Sequence, residues 1–437
     1  MLSIRKYIDR LIYVTIFCGI AAGFVWTFAL PAFHPAAELI EKYPWAGAII
    51  WPSLLWFGLG MALLLARTLL WLIYRPYALA TEADAPFLTV IIPAYNEGAL
   101  VGRSIHSSAA ANYPRDRLEI VVVDDGSRDD TWQHITAAAL QYPDLVRTIR
   151  FKRNRGKRAA LAAGFRQARG DVVVTVDSDS IIEPDSLLAI AGPFRDPRVG
   201  AVGGKVSVLN RFESLLPRML HVRFVLAFDF LRSAQSTYGA VNCCPGAFSA
   251  YRLSLVRRLL PAWMEQTFLG VHCTTGEDRA LTNDILALGY TAVYQRTAVV
   301  HTLAPSSYRK LCRMYLRWDR SYVREDVRLL SSVVWKMRPA AMFMTVIDKT
   351  ITNLRFPIAY LSLALVAIVA IDYPWMIVQL FLTMGAVAFF YMLYYLRSER
   401  NWEFAYGILY AYFSTFTLFW IFPYALLTLR NRSWMTR

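Results

Sequence analysis

The sequence predicts an α/β cytosolic domain inserted between α-helical transmembrane segments. Long apolar stretches occur at both ends of the 437-residue chain, whereas its middle part, residues 85–330, has the composition of a soluble domain. Hydrophobic residues make up 56% of the chain, including 25 Phe, 24 Tyr and 13 Trp, which exceeds the share usual in soluble proteins. The chain is therefore expected to be an integral membrane protein with one large soluble domain.

Two apolar stretches open the chain, and each is long enough for the ~20 residues that a membrane-spanning helix needs. They run from Leu11 to Phe33 and from Ala46 to Tyr74. Basic residues precede the first stretch and Arg75 follows the second, so the positive-inside rule places both ends of this hairpin in the cytoplasm. Because no small-residue cleavage site follows the first stretch, residues 1–75 are expected to stay as a two-helix transmembrane anchor.

In the predicted soluble domain, β-branched apolar runs alternate with helical patterns. The strand candidates are Phe87 to Pro93, Leu118 to Asp124, Val146 to Phe151 and Asp171 to Val176. The helical candidates are Gly98 to Ala111, Asp130 to Gln141 and Lys157 to Arg169. This alternation predicts parallel βαβ units with right-handed crossovers.

The C-terminal region, residues 339–437, is apolar again and is expected to hold further membrane helices. Its apolar stretches are Ala340 to Ile371, Pro374 to Leu396 and Phe404 to Leu429. Basic groups at 397–400 and 430–437 both favour the cytoplasm, so the number of crossings after the domain should be even. Either the first stretch crosses twice, or one of the three lies in the membrane interface or is a broken, re-entrant segment.

Three ionisable residues interrupt the first of these stretches: Asp348, Lys349 and Arg355. Ionisable groups at membrane depth usually face the interior of a helix bundle or an aqueous path, which favours a lining role. For Arg355, a side chain that reaches the membrane surface from a helix end is the alternative.

Charge and cysteine content limit the classes of partner. The net charge of +15 does not indicate nucleic acid, because the basic residues flank the apolar spans or cluster at 147–158 and 309–328, where anionic lipid accounts for most of them. The second cluster also fits an interfacial amphipathic helix. We therefore expect membrane lipid, and no nucleic acid, as a partner. The cysteines match neither a zinc site nor a disulfide framework, and reduced thiols are expected at Cys18, Cys243, Cys244, Cys273 and Cys312.

An acid pair follows the last strand candidate. The segment Asp171 to Ser180 reads DVVVTVDSDS, a β-branched run that ends in Asp177 and Asp179. Buried parallel strands have such near-continuous apolar runs, and ligands of open α/β sheets bind at the carboxyl ends of the strands. Mg²⁺ is usually bound by one or two carboxylates together with substrate phosphates, so this pair suits a cation that holds a diphosphate. Two solvated loop aspartates are the simpler alternative for an isolated pair.

Polar turns also follow the first two strand candidates. Ile91 to Glu97 reads IIPAYNE, and Val121 to Ser127 reads VVVDDGS. At the carboxyl ends of neighbouring strands, these turns would hold a nucleotide base between Tyr95 and the acids Asp124 and Asp125. Each turn alone would be an ordinary βα loop.

A basic, glycine-containing loop opens the third helical candidate. Lys152 to Phe165 reads KRNRGKRAALAAGF. A helix N-terminus with a lysine is a ready anion site, so Lys157 is a candidate ligand of the diphosphate. Arg153 and Arg155 are interpreted as a solvated basic face.

Several motifs, in one order along the chain, carry a resemblance to a known family. They are A-Y-N-E, D-D-G-S, G-K-R and D-S-D, then GAVNCCPGAFSAYR (Gly239 to Arg252), TTGEDRALTNDILALGY (Thr274 to Tyr290) and RWDRSYVRE (Arg317 to Glu325). The set resembles the processive family 2 glycosyltransferases and is most similar to hyaluronan synthases, with chitin and chito-oligosaccharide synthases next. The similarity covers the soluble domain nearly end to end and extends to the C-terminal RNRSWMTR.

That resemblance implies a GT-A, Rossmann-like fold, a UDP-sugar donor, Mg²⁺ or Mn²⁺ as cofactor, and inversion at the anomeric carbon. It also implies a nascent polysaccharide that leaves through the enzyme's own transmembrane channel, with the catalytic domain on the cytoplasmic side of the cell membrane. Hyaluronan synthesis uses UDP-GlcNAc and UDP-GlcA, but residue types alone do not reveal which sugar this chain transfers.

The resemblance also implies roles for residues at matching positions on the donor side. Ala94, Tyr95, Glu97 and Asp125 would face the uridine, and Lys157 would contact the phosphates. These assignments agree with the nucleotide turns and the anion site that the residues themselves suggest.

The resemblance assigns the donor contact and the metal to the acid pair, and the general base to the G-E-D-R motif. Asp177 would contact the donor and Asp179 the metal, and Asp278 matches the family's general base, with Glu277 and Arg279 beside it in the catalytic centre. An inverting transfer needs one carboxylate to accept the proton of the acceptor hydroxyl. A helix that starts at this motif would help to keep Asp278 ionised. An acidic N-terminal cap is the alternative role.

Acceptor contacts are implied by two further motifs. Arg317 and Trp318 match the last two positions of the family's Q-x-x-R-W element, where the guanidinium suits a phosphate and the indole offers a stacking platform for a sugar. The family's glutamine is Met314 here, and a thioether cannot replace the paired hydrogen bonds of an amide, so local contacts differ. Cys243 and Cys244 lie at positions of a donor or acceptor pocket and are expected to pack there.

Two other interpretations stay open at this point. A non-processive UDP-sugar transferase acting on a lipid phosphate shares the early motifs, but such enzymes generally lack the G-E-D-R and R-W elements and a channel of this size. A transporter or receptor with a degenerate nucleotide-like domain would often have lost one of Asp177, Asp179 and Asp278, all of which are intact. We therefore predict a membrane-embedded, processive, inverting hexosyltransferase.

Overall fold

The computed structural model describes residues 2–29 and 35–431. Residues 30–33 of the first predicted membrane stretch, residue 34, and residues 432–437 of the C-terminal motif lie outside this range. The chain divides into two compact units, one made of Met1–Leu72 and Phe343–Thr417 and the other of Ile73–Met342 and Leu418–Arg437. The first unit holds long apolar helices, and the second is built on a β-sheet.

Two long apolar helices begin the chain. They are α1 (Leu2–Ala29) and, after the short α2 (Pro35–Lys42), α3 (Gly47–Ile73). The segments Lys6–Thr27 and Pro44–Ile73 are long and apolar enough to cross a membrane. They overlap the two predicted apolar stretches, Leu11 to Phe33 and Ala46 to Tyr74, whereas the sequence pattern did not indicate α2.

The second unit contains one large mixed sheet and one short hairpin. The strands are β1 (Leu88–Ala94), β2 (Leu118–Asp124), β3 (Val146–Arg150), β4 (Val172–Val176), β5 (Ser180–Ile182), β6 (Val199–Val208), β7 (Phe248–Arg252), β8 (Thr267–Phe268), β9 (Val271–His272) and β10 (Thr291–Thr302). The sheet has the order β3-β2-β1-β4-β7-β6-β10-β5, and β8 pairs with β9. Strands β1 to β4 pair in parallel as predicted, whereas β7 runs antiparallel to both β4 and β6.

Helices connect and cover these strands. They are α4 (Leu100–Ala109), α5 (Thr131–Gln141), α6 (Lys157–Gln167), α7 (Ser186–Ala191), α8 (Leu215–Val225), α9 (Ser233–Thr237), α10 (Leu253–Met264), α11 (Glu277–Ala287) and α12 (Tyr308–Arg328). A π-helix, Leu226–Arg232, links α8 to α9. The helices α4, α5 and α6 lie within the three predicted helical segments, so the βαβ alternation is confirmed for this half of the unit.

Burial explains which strands the sequence revealed. Every residue of β1, β2 and β4 is buried, so these strands need continuous apolar runs. Strand β6 is mostly buried but glycine-rich, and a Cβ at Gly204 would lie 2.4 Å from the Phe248 ring. Strand β10 carries polar residues and slips its register between Gln295 and Val299. Neither has the near-continuous apolar run by which a buried strand is recognised.

After the sheet, the chain returns to apolar helices. They are α13 (Pro339–Val369), α14 (Trp375–Glu399), α15 (Phe404–Thr417) and α16 (Ile421–Leu427). Helix α13 is continuous over 31 residues, so the first predicted stretch does not fold back to cross twice. Helices α15 and α16 are bent by 47° at a short break, which fits a broken span or a re-entrant segment. The broken third stretch is therefore the alternative that the structure favours.

The ionisable residues of α13 have different surroundings. Asp348 forms a salt bridge of 2.7 Å with Arg67 of α3, and Arg67 also donates to the Thr352 hydroxyl at 2.8 Å. Asp348 and Lys349 are both 4% exposed, so they face the interior of this unit, as ionisable groups in apolar helices usually do. Arg355 is exposed.

Candidate active site

The carboxyl ends of β1, β2 and β4 lie side by side. The parallel register pairs Ala94 at the end of β1 with Asp124 at the end of β2, and β1 also pairs with β4. The turns after these strands therefore share one edge of the sheet. These turns carry the residues predicted for the nucleotide and the metal, namely Ala94, Tyr95, Glu97, Asp125, Asp177 and Asp179.

Hydrogen bonds fasten the first two turns to each other. The Asp125 amide donates to the Ala94 carbonyl at 2.8 Å, and the Glu97 amide donates to the Thr131 hydroxyl at 2.8 Å. Asn96 adopts a left-handed backbone with φ of 54°, which asparagine tolerates better than most residues. The residues on either side of Asn96 are partly exposed, so a ligand can reach them.

The Asp125 carboxylate holds the basic loop. Its two oxygens accept hydrogen bonds from the amides of Arg155 at 2.7 Å and Gly156 at 2.8 Å, while burial raises the pKa of Asp125 above its ordinary value. A side chain at Gly126, where φ is 72°, would lie 2.5 Å from the Arg153 backbone. The second nucleotide turn therefore fixes the start of α6. A contact of Asp125 with uridine stays a prediction.

Lys157 is the first residue of α6 and lies between two carboxylates. Its Nζ is 2.5 Å from Oδ1 of Asp177 and 3.2 Å from Oε1 of Glu277. Burial alone would lower the pKa of Lys157, but the two carboxylates raise it above its ordinary value. The ammonium therefore stays charged and connects the acid pair after β4 to the start of α11.

Asp278 lies in the first turn of α11, as the predicted helix start requires. Its Oδ2 accepts a hydrogen bond from the Gly246 amide at 3.1 Å and from the Cys243 thiol at 3.7 Å, and its Oδ1 accepts one from the Arg279 amide at 2.8 Å. Burial raises the pKa of Cys243 to about 11, so this thiol is protonated near neutral pH and donates. The carboxylate is thus held in one orientation by three donors.

The two acids at the start of α11 have opposite pKa shifts. Burial, and then the negative charge of Glu277, raise the pKa of Asp278 above its ordinary value. Burial would also raise the pKa of Glu277, but the positive charges of Lys157, Arg158 and Arg317, together with a hydrogen bond from the backbone, outweigh it and lower that pKa. The helix dipole therefore does not dominate Asp278, contrary to the expectation from its position. A carboxylate with a raised pKa suits proton acceptance.

Gly246 leaves room for this cluster to form. A Cβ at this position would lie 3.1 Å from Nζ of Lys157, 3.5 Å from Oε1 of Glu277 and 3.7 Å from Oδ2 of Asp278. The backbone of the loop before β7 therefore approaches all three charged groups closely. The sequence analysis missed this residue because a motif does not show which way a backbone amide points.

Helix α12 carries Trp318, which is predicted to bind the acceptor, and Arg317, which is predicted to bind the donor. Trp318 is 39% exposed, and its indole packs against the rings of Tyr315 and Phe224, with centroids 5.6 and 6.2 Å away. The charge of Arg317 helps to lower the pKa of Glu277, so the guanidinium acts on the acid cluster. Trp318 thus presents an aromatic surface that a sugar ring could cover.

The Arg279 side chain points away from the acid cluster that its neighbours Glu277 and Asp278 form. Its guanidinium lies over the Tyr322 ring, 5.1 Å from the centroid, and 3.9 Å from the Asp326 carboxylate of α12. The structure therefore gathers Lys157, Asp177, Glu277 and Asp278 into one cluster, whereas the Arg279 side chain faces α12.

Asp179 is the second member of the acid pair. Its Oδ1 accepts hydrogen bonds from the Thr302 hydroxyl at 3.2 Å and the Ser180 hydroxyl at 3.3 Å. Within residues 2–29 and 35–431, no group of three or more His, Cys, Asp and Glu side chains could hold a metal ion by itself. Mg²⁺ sites commonly use one or two carboxylates together with substrate phosphates, and Asp177 with Asp179 fits that donor set.

Comparisons with known proteins identify the family of the chain. The family model of glycosyl transferase family 2 matches residues 89–260. An N-acetylglucosaminyltransferase of Azorhizobium caulinodans is 32% identical over 360 residues, which cover 82% of this chain and 89% of that protein. A hyaluronan synthase of Streptococcus pyogenes is 36% identical over 281 residues, which cover 62% of this chain and 66% of the synthase.

A solved structure extends the similarity to the fold. A mannosyltransferase of Pyrobaculum calidifontis, in complex with GDP-Man and Mn²⁺, is 25% identical and superposes with a TM-score of 0.59 over 83% of this chain and 99% of its own. The predicted GT-A fold and the predicted family are thereby confirmed. The chain belongs to glycosyl transferase family 2 and is a membrane-embedded hexosyltransferase related to N-acetylglucosaminyltransferases and hyaluronan synthases.

Proposed function

We propose that the protein polymerises sugars from UDP-sugar donors on the cytoplasmic side of the cell membrane and extrudes the polymer through its own membrane helices. The observation that carries this proposal is the cluster of Asp177, Lys157, Glu277 and Asp278. Two ion pairs join Lys157 to Asp177 on the donor side and to Glu277, the residue before the proposed general base Asp278. Among the residues that the structure describes, four helices are long and apolar enough to cross a membrane, and they support the extrusion step.

Asp278 acts as the general base. The acceptor hydroxyl oxygen attacks the anomeric carbon of the donor, the bond from that carbon to the phosphate oxygen breaks, and the hydroxyl proton passes to Asp278. Attack from the side opposite to UDP inverts the anomeric configuration. The pKa of Asp278 is raised towards neutral pH, and a general base is most effective when its pKa lies near the pH at which the enzyme works.

Cations stabilise the departing UDP. Lys157 and Arg317 supply positive charge beside the acid cluster, and charge that develops on the diphosphate in the transition state is stabilised by such preorganised groups. Lys157 already pairs with Asp177 and Glu277, so an incoming diphosphate shares the ammonium with them.

Asp179, with Asp177, would hold Mg²⁺ or Mn²⁺. Such a cation, when bound, neutralises a diphosphate and stabilises it as a leaving group. Other residues bind the two substrates directly. The turns after β1 and β2 bind the nucleotide through Ala94, Tyr95, Glu97 and Asp125. Trp318 and Cys243 contact the acceptor.

The donor follows from the relatives rather than from the geometry. An N-acetylglucosaminyltransferase and a hyaluronan synthase both match the chain, so UDP-GlcNAc is the proposed first donor and UDP-GlcA the second one to test. The nascent polysaccharide is the acceptor in each later cycle, and its terminal sugar stacks on Trp318.

The test uses purified full-length protein in detergent with Mn²⁺, supplied with UDP-GlcNAc, UDP-GlcA or both. We expect UDP release and a product that grows in size with time, with a requirement for one or both donors that identifies the polymer. A reaction without protein serves as the blank. UDP release from wild-type protein no faster than from this blank would refute the proposed activity.

A further inference from the structure

A buried carboxylate of α12 joins this helix to the base-carrying helix α11. Glu325 is 1% exposed, and its Oε1 accepts a hydrogen bond from the Gln266 amide at 2.7 Å. The Asn283 side chain of α11 donates to its Oε2 at 3.2 Å and to its backbone carbonyl at 3.1 Å. A buried carboxylate is tolerated only when such partners compensate for lost hydration, so this contact fixes the two helices together.

Arg324 extends the connection to the residues just before Asp278. Its guanidinium donates to the backbone carbonyl of Thr275, and its Nε is 3.3 Å from Oε1 of Glu325. The next residue, Gly276, has φ of 75°, and a Cβ there would lie 2.6 Å from the Ser321 side chain and 3.0 Å from Nη2 of Arg324. Helix α12 therefore contacts the turn from which α11 starts.

The opposite side of the same turn is fixed as well. Gln266 accepts a hydrogen bond from Arg158 of α6 at 3.0 Å, and Arg158 donates to the Trp263 carbonyl at 2.7 Å. The Trp263 indole in turn donates to the Glu277 carbonyl at 3.0 Å. The start of α11 is thus held between α6, which begins with Lys157, and α12.

We infer that Arg324 and Glu325 are positioning residues that orient Asp278 for proton acceptance and couple it to the acceptor platform on the same helix. Trp318 precedes Glu325 on α12 by about two helical turns. If α12 shifts when an acceptor sugar binds to Trp318, the contact of Arg324 with Thr275 therefore transmits this shift to Asp278. This inference rests on the proposed function, because it assigns Asp278 the role of base.

A purely structural network makes a different prediction. In that case, substitutions at Arg324 and at Arg328 would lower stability and leave the turnover of folded protein unchanged. Arg328 contacts the same carboxylate, with Nη1 3.5 Å from Oε2 of Glu325, but its other partner is Asp284, further along α11. It is therefore a matched control that touches α11 without touching the turn before Asp278.

The experiment compares Arg324→Lys with Arg328→Lys in full-length protein. Lysine keeps the charge beside Glu325 but loses the second donor that reaches Thr275. We expect Arg324→Lys to lower kcat about tenfold or more, as expected for a misplaced catalytic group, with KM for the donor within about twofold of wild type. The acid limb of its pH profile should move to higher pH, because a carboxylate that loses hydrogen bonds takes up a proton more readily.

Arg328→Lys should show kcat and a pH profile close to those of wild type. Equal loss of kcat in both variants, in step with their melting temperatures, or an unchanged kcat in Arg324→Lys would overturn the inference. Should Arg324→Lys fail to fold, Glu325→Gln, which keeps the shape of the side chain, carries the same expectation for kcat and KM. Absence of UDP release from wild-type protein would instead refute the proposed function, so the two failures are distinguishable.

Discussion

The backbone amide of Gly246 donates a hydrogen bond of 3.1 Å to the carboxylate of Asp278. This contact brings the loop before β7 against the start of α11, at a position where a Cβ would meet the Lys157 ammonium at 3.1 Å. The absence of a side chain at residue 246 is therefore part of how the base is oriented. A donor on the backbone also cannot be lost by side-chain motion, so the orientation is rigid.

Replacing Gly246 by alanine should impair transfer. The added methyl group would crowd Lys157, which cannot move away because Asp177 and Glu277 hold it on both sides. Displacement of a catalytic group by a fraction of an ångström to 1 Å lowers kcat about 10- to 100-fold. The control is Gly102→Ala in α4, where no atom outside the glycine's own stretch of helix lies within 4 Å of the new methyl group and activity should stay at the wild-type level. Equal activity of the two variants would contradict the role of Gly246.

Asp278→Asn should abolish transfer and leave UDP affinity almost unchanged. The amide keeps the size of the carboxylate but cannot accept the acceptor proton, and loss of general base catalysis lowers turnover ~10²–10⁴-fold. UDP affinity should stay the same because Asp278 has no predicted contact with the nucleotide. Isothermal titration calorimetry measures this affinity. A variant that keeps more than about a tenth of wild-type turnover would remove Asp278 as the base.

The pH dependence of kcat/KM should depend on Lys157. The raised pKa of Asp278 predicts that activity falls on acidification at a pH above the ordinary aspartate range, since the base must be ionised. The Lys157 ammonium lowers the pKa values of both Glu277 and Asp278, so Lys157→Met should let the pair take up a proton at higher pH. The acid limb therefore moves to higher pH. Lys152→Met, in the exposed part of the same loop, should leave it in place.

The fold could be predicted from the sequence where burial dictates residue type. Strand β2 has the predicted bounds, Leu118–Asp124, because all of its residues are buried and a buried parallel strand requires Val and Ile. Strand β6 was missed because close packing against Phe248 requires glycine at Gly204, and glycine disfavours strands in general. Tertiary contacts of this kind are not visible in local patterns.

The candidate site could be predicted only in part. Motif order brought out Asp177 and Asp278, because acids that follow an apolar strand or begin a helix stand out in the sequence. The contact of Lys157 with Glu277 joins segments far apart in the chain, and no spacing rule reveals it. The role of Arg324 was also hidden, since its main partner is the backbone carbonyl of Thr275, which carries no sequence signal.

The salt bridge between Arg67 and Asp348 should stabilise the helical unit only as a pair. Asp348→Ala leaves the mostly buried Arg67 guanidinium without a counter-charge, and breaking a buried ion pair costs about 3 kcal/mol or more. The double variant Arg67→Met with Asp348→Leu removes both charges and should recover most of the lost stability, because apolar side chains of similar size pack well between α3 and α13. Melting temperatures of detergent-solubilised protein measure both effects. A double variant as unstable as Asp348→Ala would mean that Arg67 stabilises this unit through its bond to Thr352 and not through the ion pair.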